Sequence, residues 1–249
     1  MLFNSLEFVV FFPVVLMIYF LIHRKLRVFW LLIASYFFYM CWNPKYLLLL
    51  LFSTAVTWGA GLLLERWRED LHKKRATAAA AILLNFGILF LFKYLDFLWH
   101  NFSAILGRFH VTLPENTVSL LLPVGISFYI FQAVGYTVDV YRGTIAAERN
   151  FPRYALFVSF FPQLVAGPIE RSGNLLPQVR NLERLKLWDS RRLQEGALTM
   201  LYGYLLKMVI ADRAAVFVNT VFNVENFGTY QGITVFVAAA LFAVQIYCD

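Results

Sequence analysis

Phe160-Phe161-Pro162-Gln163-Leu164-Val165-Ala166-Gly167-Pro168-Ile169-Glu170-Arg171 is the stretch on which the fold of this chain turns. It sets two prolines, a glutamine, a glycine and a Glu-Arg pair inside a run otherwise as apolar as a membrane span. Each proline removes a helical hydrogen bond, and hydrocarbon offers no water to replace it. The stretch is therefore expected to be irregular backbone buried in protein, the setting in which membrane transporters, channels and enzymes build their sites.

The rest of the composition fits that setting. Of 249 residues, 60% are hydrophobic, 18% aromatic and 15% charged, with a mean hydropathy of +0.64. Soluble domains carry roughly 25% charged residues, so an ordinary soluble domain is excluded. The net charge of +7 lies in short clusters between apolar runs and forms no single stripe. That is the pattern of cytoplasmic loops under the positive-inside rule, and it argues against nucleic-acid binding. Cys41 and Cys248 both sit in apolar runs, without metal spacing or a disulfide framework. In the first apolar run, Phe8 to Ile22, the charges His23, Arg24, Lys25 and Arg27 follow and do not precede. This order is wrong for a cleaved signal and right for a retained span with its amino terminus outside.

A span of the bilayer core takes about 20 apolar residues. By that measure the expected spans are Leu6 to Ile22, Val28 to Trp42, Tyr46 to Leu64, Ala76 to Phe92, Val124 to Val138, Gly196 to Ala211 and Tyr230 to Tyr247. The expectation is an all-α, polytopic integral membrane protein of about seven transmembrane helices, with residues 1–249 forming a single membrane domain. Loops rich in Lys and Arg (residues 23–27, 65–75 and 139–153) alternate with poor ones (43–45 and 93–123), which places the rich loops in the cytoplasm.

The segment Arg171 to Glu195 breaks the alternation. It carries Arg171, Arg180, Arg184, Lys186, Arg191 and Arg192 and should be cytoplasmic too, yet only Tyr154 to Ile169 separates it from the previous cytoplasmic loop. A segment with both flanks on one side does not cross, so FFPQLVAGPIER is read as the floor of a re-entrant segment. The alternative is a kinked span with one exceptional loop. Beyond it, Leu175, Val179, Leu182 and Leu185 share one helical face, with Arg180, Arg184 and Arg191 roughly opposite. This predicts an amphipathic interfacial helix with its arginines toward anionic headgroups; a docking surface for an acidic partner has the same pattern.

On the preceding span, Tyr129, Gln132, Tyr136 and Asp139 fall within an arc of about 80°. Such groups turn inward, because lipid leaves them unsatisfied. They are expected to line a passage together with Gln163, Gly167, Pro168, Glu170 and Arg171; interhelical hydrogen bonding that only holds the bundle is the alternative. No phosphate loop, GxSxG elbow or HExxH motif is present. No metal site is expected. His23, His72 and His110 read as loop residues, and His100 as an interfacial residue beside Trp99.

LPVGISFYIFQAVGYTVDVYRG (Leu122 to Gly143) together with FFPQLVAGPIER resembles the membrane-bound O-acyltransferase family. Within it, the likeness is to the bacterial branch that acetylates alginate and related exopolysaccharides, akin to the teichoic-acid D-alanylation transferase. MLFNSLEFVVFFPVV (Met1 to Val15) and SYFFYMCWNPKY (Ser35 to Tyr46) carry the same likeness, which covers nearly the whole chain. The resemblance implies a ring of helices around a thin central layer, in the bacterial inner membrane. It implies an acyl group delivered from the cytoplasm by a donor such as acetyl-CoA, used as substrate with no bound cofactor. The acceptor is a hydroxyl of an exported polysaccharide, and an extracytoplasmic acetylation partner completes transfer.

In that family a histidine near mid-membrane acts as general base, a role suited to an imidazole with its pKa near working pH. It lies in a Trp-His-rich motif after a stretch that starts much like Gln245 to Asp249, where this chain stops. Trp99-His100 does not match that motif, so no catalytic residue is assigned. The expectation is the amino-terminal half of an acyltransferase, inactive alone, with the histidine beyond Asp249. A transporter or flippase subunit and a non-catalytic scaffold remain the rival readings.

Overall fold

The computed structural model describes residues 1, 3–107, 123–164, 167, 169–184, 189–223 and 228–249, and every regular element within them is helical. The all-α expectation holds. Among the described residues two helices are long and apolar enough to cross a membrane, Pro44–Arg66 and Leu71–Leu95. Four of the others expected to span are shorter: 16 residues in α1 (Leu6–Leu21), 14 in α2 (Arg27–Met40), 17 in α5 (Ile126–Arg142) and 16 in α11 (Ile233–Cys248). At 1.5 Å per residue these rise about 21–26 Å, against a hydrocarbon core of about 30 Å.

The described residues gather into two compact units, one of Met1 with residues 11–185 and one of residues 2–10 with 186–249. In the first, α2 ends at a turn where the Asn43 side chain accepts from Lys45 N–H at 3.0 Å and Pro44 opens a single 3₁₀ turn. There α3 (Leu47–Arg66) begins. Its Thr54 and Thr57 hydroxyls donate to the carbonyls of Leu50 and Ser53 at 2.7 Å, which satisfies them in an otherwise apolar helix. Ser53 Oγ donates to Asn85 Oδ1 of the next helix at 2.5 Å.

That helix, α4, spans Leu71–Gly107. The sequence reading ends it near Phe92 and places a loop from Lys93. The helix continues because nothing between Lys93 and Leu106 breaks it, neither glycine nor proline. His100 therefore stands exposed on a helix, and His72 in its first turn. Asp70 caps the start, its Oδ1 accepting from Lys73 N–H at 3.1 Å.

Two left-handed glycines bound α5, Gly125 (φ 75°) and Gly143 (φ 78°). At the second, Gly143 N–H reaches Val140 O at 3.0 Å and Thr144 N–H reaches Asp139 O at 3.0 Å, the paired bonds of a Schellman cap. The helix packs against α3 so closely that a Cβ on Gly61 would lie 2.6 Å from Tyr136 Oη. Tyr39, Leu50, Leu64, Ile130, Ala133, Phe157 and Leu164 form the buried core around it.

In the second unit, α9 (Ser190–Leu205) starts from the cap Asp189, whose Oδ1 accepts from Arg192 N–H at 3.2 Å. It runs through a π-helical segment, Leu206–Ala211, directly into α10 (Asp212–Phe222). The sequence reading stops this helix at Ala211; it extends to Phe222 because Asp212 is held at 3.1 Å by Lys207, a residue that also pairs with Asp249 at the end of α11. Tyr204 Oη donates to Phe3 O at 2.8 Å.

Candidate functional site

The described part of the Phe160–Arg171 stretch lies between short helices. The short helix α6 (Phe151–Ser159) leads into it, with Asn150 Oδ1 capping Arg153 N–H at 3.1 Å and Pro152 in the first turn. A single turn, α7 (Phe161–Leu164), follows, and then α8 (Ser172–Asn181). Nine residues of α6 rise about 13 Å, less than half of the hydrocarbon core. Arg153 at the start of α6 pairs with Glu183 just past α8 at 2.8 Å. The two helices pack on one another, so α6 and α8 form a hairpin.

The turn of the hairpin is anchored through backbone groups freed where α6 ends at Phe160, whose ψ of 114° leaves the helix. Phe161 N–H would ordinarily bond the Phe157 carbonyl; it donates instead to Ser35 Oγ of α2 at 3.2 Å. The Phe157 carbonyl is then taken up by two side chains, Gln132 Nε2 of α5 at 2.7 Å and Gln163 Nε2 of α7 at 2.8 Å. Both glutamines are buried. A buried carbonyl left unpaired costs about 1–3 kcal/mol, so the double amide is a strong fastening.

The inward arc of α5 is as the periodicity predicts: Tyr129, Gln132 and Tyr136 are buried and Asp139 is half-buried. Each has a distinct task. Tyr136 Oη accepts from Glu148 N–H at 2.9 Å, and its ring packs on Tyr154 with centroids 4.5 Å apart. Asp139 Oδ2 accepts from the Ser172 hydroxyl at the start of α8. Tyr129 meets Tyr39 edge to face at 6.5 Å; both hydroxyls and Gln163 Oε1 are buried without a well-formed hydrogen bond.

Gln132 and Gln163 are thus brought together, and Asp139 reaches the same hairpin through Ser172. Glu170 is not brought to them; its Oε2 accepts from Asn174 Nδ2 at 2.8 Å on the surface. The Arg171 side chain is exposed, while its carbonyl accepts from Asn174 N–H at 2.9 Å to start α8. Gly167 N–H donates to Gln163 O at 3.2 Å, and Pro168 lies outside the described residues.

The amphipathic helix differs from expectation. It ends at Asn181, and its apolar side faces protein, with Leu176 and Val179 buried beside α6. Arg180 leaves the polar face to pair with Glu148 at 2.5 Å, because a carboxylate only 6% exposed binds it more strongly than solvent does. Arg184 is exposed, Arg191 belongs to α9 and pairs with Glu195, and Leu185 lies outside the described residues.

Glu148 and Arg27 are the important residues the sequence reading missed. Glu148 joins several groups: its carboxylate takes Arg180 and Asn150 N–H, its carbonyl takes Trp58 Nε1 at 2.8 Å, and its own N–H goes to Tyr136. Arg27, fully buried, donates to Leu182 O at 3.1 Å and lies 5.3 Å over the Tyr19 ring. Both hide in charged loops where one ion looks like another. Among the described residues, no group of three or more His, Cys, Asp or Glu could hold a metal ion.

Comparison with known proteins adds a separate line of observation. The chain is 34% identical over 252 residues to a Pseudomonas putida protein named "Probable alginate O-acetylase", covering 100% of this chain and 50% of that one. A protein of the same name from Pseudomonas syringae is 32% identical over 250 residues, covering 100% and 47%. A Helicobacter pylori protein named "Peptidoglycan O-acetyltransferase" is 30% identical over 244 residues, covering 88% and 45%. The chain therefore spans about half the length of the curated relatives it matches. No family profile matches the chain, and no solved structure matches it significantly.

Proposed function

Related over its full length to the bacterial alginate O-acetylase-like branch of the membrane-bound O-acyltransferases, this chain is, we propose, the part of an O-acetyltransferase that builds the floor of the transfer passage. The reaction is transfer of an acetyl group from a cytoplasmic donor, acetyl-CoA or another activated acyl carrier, to hydroxyls of an exported polysaccharide of the alginate type. An extracytoplasmic protein partner completes delivery to the polymer. The full-length similarity to O-acetylases is the observation that carries this reading. The relatives' names favour acyl transfer over the transport alternative.

The protein sits as a multi-pass component of the bacterial inner membrane with its amino terminus outside, in about seven spans. The α6–α8 hairpin is its re-entrant segment, approached from the cytoplasm, and α8 lies near that interface. Several helices rise less than a full bilayer, which suits a locally thinned layer with a short path between donor and acceptor sides. No residue of this chain is assigned as general base. Gln132, Gln163, Asp139 and Tyr136 act as positioning residues that fix the hairpin, with Tyr129 beside them; Gly167, Pro168, Glu170 and Arg171 form its returning arm.

The test is acetylation of the exported polysaccharide in cells carrying the complete gene with Gln163→Ala or Asp139→Asn. Acetylation should fall while the protein still reaches the membrane. Normal acetylation at normal protein level in both strains would remove these residues from the proposed passage.

A further inference from the structure

A cavity of about 180 Å³ opens between the turn joining α3 to α4 and the segment that follows α5, apart from the hairpin. Glu65, Arg68 and Lys74 line it from the turn between α3 and α4, and Ile145, Ala146 and Ala147 from the segment after α5. The charges do not cancel. Glu65 is paired with Arg149 at 3.1 Å, and Lys74 is steadied 5.0 Å over the Tyr141 ring, which does not neutralise it. Arg68 has no acidic partner among the described residues. Two lining cations, Arg68 and Lys74, thus stand beside one lining carboxylate, which Arg149 already pairs.

The backbone of the segment after α5 is equally unspent. Thr144, Glu148 and Asn150 each use their N–H within the protein, on Asp139 O, Tyr136 Oη and Glu148 Oε1. Ile145, Ala146 and Ala147 between them donate no hydrogen bond among the described residues. These N–H groups add donors on the segment facing an arginine and a lysine, and the carbonyls of the same residues are equally unbonded among the described residues. Cationic side chains beside unbonded backbone N–H groups are a common setting for phosphate oxygens. A carboxylate offers two oxygens to this set, whereas a phosphate ester or diphosphate offers more.

We infer that this cavity, lined by Arg68, Lys74 and Ile145 to Ala147, binds the phosphate group of a phosphate-ester ligand. It rests on the proposed topology for its placement, since both bordering loops are the basic, cytoplasmic ones. Two sources carry this chemistry on that side. One is a phosphorylated soluble acyl donor, docked by its phosphates while the acyl end reaches inward; the other is the headgroup of an anionic phospholipid.

The experiment uses the full chain in phosphatidylcholine nanodiscs and titrates inorganic pyrophosphate and acetyl-CoA by calorimetry. Arg68→Gln/Lys74→Gln is compared with Arg66→Gln/Arg75→Gln, which removes the same charge from residues outside the cavity. Binding should weaken about tenfold or more in the first pair and stay within about twofold in the second. A parallel arm doping the discs with phosphatidylglycerol reads lipid retention by native mass spectrometry. Loss of acetyl-CoA binding in the cavity variant assigns the soluble donor; loss of retained phosphatidylglycerol alone assigns the headgroup. Equal effects of both variant pairs, or no binding of any probe by the unaltered chain, would overturn the site. Acetylation in cells is read separately, so a failed phosphate site and a failed acetyltransferase reading give different results.

Discussion

Gln132 of α5 and Gln163 of α7 donate to one oxygen, the carbonyl of Phe157, at 2.7 and 2.8 Å. Either amide alone can satisfy that oxygen, so the two substitutions should not add. Gln132→Leu and Gln163→Leu should each cost about 0.5–1.5 kcal/mol, and the double variant about 1 kcal/mol more than their sum, because only then is the carbonyl orphaned. Unfolding of the purified protein in detergent, followed across the four-member cycle, checks this. Strict additivity would mean that the shared carbonyl is not what couples them.

The Glu148–Arg180 pair should behave as a half-buried ion pair. Glu148 is 6% exposed and Arg180 39%, so removing the arginine strands the more costly charge. Arg180→Met should destabilise by about 2–4 kcal/mol, while Glu148→Gln/Arg180→Met together should recover at least half of that loss. Melting temperatures of the two variants side by side decide the point.

Gly61 and Gly59 make an internal comparison on one helix. A Cβ at Gly61 would lie 2.6 Å from Tyr136 Oη, whereas nothing lies within 4 Å of one at Gly59. Gly61→Ala should lower stability by about 1–3 kcal/mol through overpacking against α5. Gly59→Ala should be neutral or stabilising by up to about 1 kcal/mol. Equal effects at the two positions would show that α3 and α5 are not in this close approach.

Topology can be read with a membrane-impermeant maleimide on single cysteines introduced at Arg149 and Arg184, in a chain whose Cys41 and Cys248 are serine. Arg149 is exposed before α6, and Arg184 follows α8. They should label from the same side of the membrane, opposite to a cysteine at Asn43. Labelling of 149 and 184 from opposite sides would make the segment between them a crossing span.

The start of α4 should respond to acid. The Lys73 ammonium and its backbone N–H hold the Asp70 carboxyl below its ordinary value of 3.8. A carboxylate lowered in the folded state contributes above its unfolded value and is lost as pH falls through the lowered one. Hydrogen exchange at Lys73 and Lys74 should therefore accelerate only below the ordinary carboxylate range. Asp70→Ala should show that fast exchange at neutral pH.

What the sequence made legible follows physical lines. Prolines in an apolar run marked a segment too broken for one long helix, and short helices on either side, tied by Arg153–Glu183, are what stands there. The arc of Tyr129, Gln132 and Tyr136 was legible because an 80° sector of polar residues on an apolar helix has only one comfortable direction. Asp139 finds its partner by the same logic. What the sequence hid is pairing among charges: nothing in AERN marks Glu148 as the acid that draws Arg180 out of the polar face of α8. Nor does hydropathy alone show that α4 persists past Lys93, since a charged residue interrupts a hydrophobicity window without breaking a helix. The π-helical segment at Leu206–Ala211 likewise leaves no trace in composition, because it is a matter of hydrogen-bond register.

The Arg153–Glu183 bridge also bears on how the hairpin can vary in length. Its two ends are held together at one edge, so the chain from Arg153 to Glu183 is a loop of fixed mouth. Lengthening such a loop raises its closure entropy only logarithmically, about 0.6 kcal/mol per doubling. Insertions in that loop accordingly come at small thermodynamic cost, while α5, α6 and α8 keep their places. The length of the turn is thus separable from the framework that supports it.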